Sequence, residues 1–198
     1  MLISNRIYLP SPELTEAMQN KLVNLMGSNK LNEKNVKMFS SILIALGNHY
    51  SKTLTAWKNF SEFFLSTYEI MDLRDVSNCV LAFCKKKVYS ENIIQIWEQR
   101  FFNAGLEIST TDLMQYIEGF AIISVGSDRI WREFEKQTLR VCSGLNPYEL
   151  SILFNSMYER AGQEVFSALA ERYKNISIEC SPKFQQKINY SLHNWKLK

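Results

Sequence analysis

The chain has 198 residues, 46% hydrophobic and 13% aromatic, enough apolar material to bury a substantial core and too much for a disordered tail. With 23 basic and 20 acidic side chains the net charge is only +3, well short of the strongly basic balance of many nucleic-acid binders, so RNA binding is permitted but not demanded. The longest apolar runs, such as Ile42 to Leu46 and Phe120 to Ile123, fall far short of the ~18 residues a membrane span requires.

Residues 1–11 carry one Arg and no acid, and read as an extended arm or a short organellar import leader. Residues 12–198 read as a single helical-repeat domain. A first helix is expected from Pro12 to about Met26, with Leu14, Met18, Leu22 and Leu25 along one face, followed by a polar turn from Gly27 to Asn32. Helical hairpins are then expected over about 35–68, 72–104, 109–142 and 146–174, and a last helix from Pro182 to Trp195 that begins a further unit. In the second hairpin Asp72 caps the first helix, with Asp75 placed for a capping box, and Val76, Cys79, Val80 and Phe83 form one face. Lys85, Lys86 and Lys87 break that face, and Ser90 caps a second helix whose buried row is Ile94, Trp97 and Phe101. Pro12, Pro147 and Pro182 each follow a cap residue (Ser11, Asn146, Ser181), the first-turn position where a missing N–H costs nothing. No stretch alternates with period two, so no strand is expected.

The hairpins repeat. Asn35, Asp72, Ser109 and Asn146 stand 37 apart and all suit a helix N-cap. Four positions on are Phe39, Val76, Leu113 and Leu150. Ten on are the small residues Ala45, Ala82, Gly119 and Ser156, where helices can approach closely; eleven on are Leu46, Phe83, Phe120 and Met157. The second helices keep the same beat, with caps Thr53, Ser90 and Ser127, then Trp57, Ile94 and Trp131, then Phe60, Trp97 and Phe134. In the last hairpin a turn shorter by two residues puts Phe166, Leu169 and Tyr173 in those columns. A fixed period of this size means stacked supersecondary units, and the fold class expected is all-α: an α-solenoid of about four 37-residue helix-turn-helix repeats with a capping helix at each end.

A 37-residue unit with a small residue late in its first helix and an aromatic-rich second helix resembles the heptatricopeptide repeats of protist organelles. Those are similar to octotricopeptide repeats and to the arrays of FAST-kinase-like proteins. The resemblance covers about 35–174 and rests on period and column character; the tetratricopeptide pattern W-x₂-L-G-x₂-Y is missing. Such families are typically mitochondrial or plastid RNA-binding proteins, several ending in a RAP domain, and no RAP-like segment is recognised here. The resemblance therefore implies a structural part of a larger mitochondrial assembly.

If the array contacts RNA, the non-core side of the first helices is the expected surface. One column there holds Lys37, Arg74, Thr111 and Tyr148, and a second holds Ser41, Asn78, Gln115 and Ile152. Amide and hydroxyl groups suit base edges and Lys or Arg suits phosphate, with Lys85, Lys86 and Lys87 adding charge at the rim. The columns fail at Thr111 and Ile152, which suits shape-and-phosphate contact better than a one-base-per-repeat code, and they equally suit a plain solvated face. Arg129, Arg132 and Lys136 make a second basic stripe at i, i+3 and i+7, interleaved with Glu133 and Glu135. The aromatic columns read as core between repeats.

Cys79, Cys84, Cys142 and Cys180 contain no CxxC pair and read as reduced core thiols in a reducing compartment. His49 and His193 belong to no HExxH pattern, the glycines form no phosphate-cradling loop, and acids such as Asp75, Asp112 and Glu149 are explained by helix caps. No catalytic residue, metal or cofactor is expected. Two readings remain: an RNA-contacting structural component of the mitochondrial ribosome, and a protein-only scaffold or accessory subunit of a respiratory or ATP-synthase complex.

Overall fold

The computed structural model describes residues 11–27, 32–48 and 54–196. Residues 1–10 of the arm, residues 28–31 of the expected polar turn, the His49 turn and the Thr53 cap lie outside the described residues. Ten α-helices occur among the described residues, and no strand. They are α1 (Pro12–Gly27), α2 (Glu33–Gly47), α3 (Leu54–Thr67), α4 (Leu73–Lys86), α5 (Glu91–Ala104), α6 (Thr110–Ile123), α7 (Asp128–Val141), α8 (Pro147–Met157), α9 (Gln163–Ile176) and α10 (Pro182–Lys196). No helix among the described residues is long and apolar enough to cross a membrane.

The helix starts follow from cap chemistry. Asp72, Ser90, Ser109, Ser127 and Asn146 each sit in extended backbone and accept, through the side chain, the N–H of the residue three on. Asn146 and Glu149 complete a capping box, and Pro147 follows at N1. Ser11 and Ser181 cap α1 and α10 in the same way. The first hairpin departs from the expected beat: Asn32, not Asn35, is the cap of α2, and its Oδ1 accepts the Asn35 N–H at 2.9 Å. Both are good cap residues three apart, and the upstream one satisfies the amide of the downstream one, so the helix begins earlier.

Each hairpin ends in a single turn of 3₁₀ helix. These start at Tyr68, Cys142, Gly105 and Ser177, and the steps in chain order are 37, 37 and 35. The residue after each turn is buried: Met71, Ile108, Leu145 and Cys180. The deficit of two in the last hairpin was expected in its turn. It arises instead because α8 has 11 residues where α6 has 14, while the following turn is one residue longer. Phe166 and Leu169 still fill the core columns, and Tyr173 is half-buried.

Two compact units form, Met1–Val88 and Tyr89–Lys198. In the first, α2 packs along α4 and α1 packs on α2. A Cβ built on Gly47 would stand 2.8 Å from the Ala82 Cα, so the small residue of α4 meets its partner at Gly47 rather than at the expected Ala45. Phe39 lies 4.7 Å from Phe63, and Phe83 is edge-on to both Trp57 and Phe64, which closes the core between α2, α3 and α4. The middle of α4, Asp75 to Cys84, is buried on every side. On α1, Leu22 and Leu25 are buried but Leu14 is 49% exposed, so the apolar face is shorter than its spacing suggested.

In the second unit α8 packs between α6 and α10, and α7 packs on α9. Phe101 contacts Tyr116 and Phe134 at 5.0 and 4.8 Å, and Phe120 meets Phe134 at 5.5 Å. Trp195 stacks on Phe166 at 4.6 Å. The buried row of α5 is Ile93, Trp97 and Phe101; Ile94, expected there, is half-exposed. Both isoleucines fit helical spacing with Trp97, and packing selects the one facing inward. All four cysteines are free and buried, and burial raises the thiol pKa of each.

Candidate nucleic-acid interface

The first-helix columns divide between the units and are unequally accessible. In the first unit Lys37 is exposed and pairs with Asp72 at 3.6 Å, and the Ser41 hydroxyl donates to the Lys37 carbonyl at 2.8 Å. Arg74 is exposed, but Asn78 is buried at 9%. Asn78 was expected on the solvated side; since α4 is covered all round through its middle, no open side exists there. In the second unit Gln115 is half-buried, Thr111 and Tyr148 are exposed, and the Tyr148 ring lies 5.9 Å from Phe184.

The three lysines play three parts. Lys85, half-buried, donates to Asn48 Oδ1 at 2.8 Å, binding the end of α4 to the end of α2. Lys86 lies over the Trp57 ring at 5.7 Å, where burial lowers its pKa. Lys87 alone points freely to solvent as the residue after the helix, in left-handed backbone with φ 55°. Two of the three lysines are thus tied down by packing, and the triplet forms no continuous rim of charge.

The stripe on α7 is more coherent. Arg129, Arg132 and Lys136 are all exposed. Arg129 stacks over Phe102 at 4.2 Å, Arg132 Nε donates to the Asp128 carbonyl at 3.3 Å, and Lys136 pairs loosely with Glu133 at 3.5 Å. Arg160, which the sequence pattern did not single out, joins this group. Its guanidinium lies over Trp131 at 4.8 Å, donates to the Ser124 carbonyl at 3.2 Å and lines a cleft together with Arg132. The shortened α8 shifts Arg160 out of the 37-residue register, which hid it.

The acids nearby are largely engaged. Glu135 accepts the N–H of Gly162, the cap of α9, at 2.6 Å. Glu98, 37 positions earlier, accepts both the N–H and the hydroxyl of Ser127, the cap of α7, at 2.8 Å each. These two carboxylates clasp one hairpin to the next, and their common column was visible in the sequence. Arginines add a second clasp: Arg140 donates to the Ile108 carbonyl at 2.8 Å and Arg172 to the Leu145 carbonyl at 2.7 Å. Asp128 stays at the first turn of α7, where the helix dipole favours it.

Among the described residues no group of three or more His, Cys, Asp or Glu side chains is placed to hold a metal ion. His193 is exposed on α10. The aromatic columns lie inside: Trp57, Phe60, Trp97 and Phe134 are at most 2% exposed and Trp131 is 6% exposed. They are core and offer no stacking platform.

Comparison of the chain with models of known protein families gives no match, and comparison with curated proteins gives none either.

Proposed function

We propose that this chain is a non-catalytic helical-repeat subunit of a mitochondrial assembly, an RNA-contacting structural component of the mitochondrial ribosome, with its hairpins arranged as an α-solenoid. The compartment and the ribosome rest on the resemblance to organellar 37-residue repeats. RNA contact is supported chiefly by the grouping of Arg129, Arg132, Lys136 and Arg160 along α7 and the turn before α9. Three cations on one face of α7 and a fourth in the turn beside it, with the neighbouring Glu135 engaged by a backbone amide, suit phosphate contact. The first-helix columns contribute less, because Asn78 is covered and Lys86 is held over an indole.

The test is a salt titration of the purified protein on structured RNA. Affinity falls steeply as salt rises, and replacing Arg129, Arg132 and Lys136 together by Gln lowers the slope of log affinity against log salt by about 2 to 3. Binding that is absent at every salt concentration refutes the reading.

One observation favours the other reading, a protein-only scaffold in a respiratory or ATP-synthase complex. Leu106 and Ile178, in two of the 3₁₀ turns of the second unit, are 70% and 99% exposed, as expected of residues that a protein partner covers. That role predicts stable co-purification with protein subunits and little RNA affinity.

A further inference from the structure

Two surface grooves in the second unit are built from the same positions of successive hairpins. One, of about 650 Å³, is lined by Glu91, Ile94, Gln95 and Glu98 of α5, with Tyr89 before it and Val125 across it. The other, of about 390 Å³, is lined by Asp128, Trp131, Arg132 and Glu135 of α7, with Arg160 across it. Each α5 position lies 37 before its α7 counterpart, so the groove between consecutive second helices is a repeated feature of the hairpin, carrying different chemistry each time.

The difference between them is specific. In the α7 groove two guanidinium groups, from Arg132 and Arg160, flank the opening, and Glu135 is committed to the Gly162 N–H. In the α5 groove those two places are taken by Gln95 and Val125, the lining is mainly apolar, and Tyr89, 40% exposed, lines it together with Ile94. Glu98 is committed to Ser127, which leaves Glu91 at the rim as an acceptor. One groove is thus fitted to an anion, and its neighbour to a flat, partly apolar group that can stack and donate a hydrogen bond.

We propose that this pair of grooves is a binding site for single-stranded RNA, with a phosphate held between Arg132 and Arg160 and an adjacent base resting against Tyr89 and Ile94. This rests on the RNA reading above and adds to it the class of RNA and the register. A single strand is required because only unpaired, unstacked bases can enter a groove of this kind, whereas a duplex keeps its bases inside. Charge complementarity comes from the two arginines together with Arg129 and Lys136, which flank Arg132 on the same stripe of α7; Asp128 opposes it locally.

The experiment uses the whole chain with fluorescein-labelled twelve-nucleotide oligouridylate, oligoadenylate and a duplex of equal length, followed by anisotropy between 25 and 200 mM KCl. Single strands bind more tightly than the duplex. Arg132→Gln weakens binding several-fold and lowers the salt slope by about 1. Tyr89→Ala weakens it about tenfold with the slope unchanged, because stacking releases no counterions. Circular dichroism confirms that both variants keep the wild-type helix content. If the wild-type protein binds RNA and both variants bind as it does, or if the duplex is preferred, the groove assignment is overturned while the broader RNA reading stands. If no RNA binds at any salt, both fall.

Discussion

Asp75 shows how much a single side chain gains and loses by being drawn inward. It sits in the first turn of α4, where its N–H donates to the Asp72 carboxylate at 2.8 Å, and its own Oδ1 accepts the Ser40 hydroxyl of α2 at 2.5 Å. Burial raises its pKa above the ordinary aspartate value; the Ser40 bond pulls it back, Asp72 repels, and the Asp72 N–H and Lys37 attract. The folded chain therefore keeps a proton in a range where the unfolded chain has released it. The resulting stabilisation is complete below about pH 3.9 and is lost as the pH rises through the folded value. Asp75→Asn keeps an acceptor for Ser40 and removes the ionisation, so its stability relative to wild type should improve from pH 4 to pH 7, read from urea midpoints. A pH-independent difference would show that Asp75 ionises normally. Gly126 is constrained by space instead. Its φ is +107°, and a Cβ there would stand 2.8 Å from Phe120 and 2.9 Å from Ile130. Gly126→Ala should cost about 2 to 4 kcal/mol in chemical denaturation, from backbone strain and overpacking together.

At the scale of the element, α4 and α6 end alike although no glycine is present. Val88 N–H donates to the Phe83 carbonyl and Lys87 N–H to that of Cys84; Val125 and Ser124 repeat the pattern on Phe120 and Ala121. This is the Schellman arrangement, and it forces Lys87 and Ser124 into left-handed backbone, with φ of 55° and 54°. The motif persists because each bend satisfies two helix-end carbonyls, those of Phe83 and Cys84 and of Phe120 and Ala121, that would otherwise lack a backbone partner. Ser124→Gly should therefore stabilise the protein by about 1 kcal/mol, measured as a rise in denaturation midpoint. No gain would mean that the unfolded-state entropy of glycine offsets the relief. These two ends show why the lysine run misled. Lys85 and Lys86 remain inside α4, whose last turn they occupy, and only Lys87 belongs to the bend.

At the scale of the molecule, the four cysteines report on both units at once, Cys79 and Cys84 on the first and Cys142 and Cys180 on the second. All are buried, and burial disfavours every thiolate. Native protein at pH 8 should react slowly with an aromatic disulfide reagent and release four equivalents only in denaturant. A fast native phase would mean that one unit opens readily.

Most of the helix boundaries were legible in the sequence because they are local. A cap residue accepts an N–H three positions on, proline marks a first turn, and one apolar face recurs every three to four residues; such relations bind neighbours in sequence and survive without knowledge of the fold. The misjudged details share a different cause. Asn32 against Asn35, and Ile93 against Ile94, are pairs that satisfy the same local rule; the Asn32 side chain took the Asn35 N–H as the upstream cap, and packing turned Ile93 inward.

The sequence by itself therefore determined that this protein is helical, where most of its helices begin, that they come as hairpins spaced 37 apart from Asp72 onward, and that the aromatic columns Trp57, Phe60, Trp97, Trp131 and Phe134 belong to the core. Only the tertiary structure decided which cations remain available. Burial of Asn78, the clasp of Lys85 on Asn48, the seating of Lys86 over Trp57 and the arrival of Arg160 beside Arg132 all depend on elements far apart in the chain. Distances between helices depend on how side chains fill the space between them, and no spacing along a single chain records that.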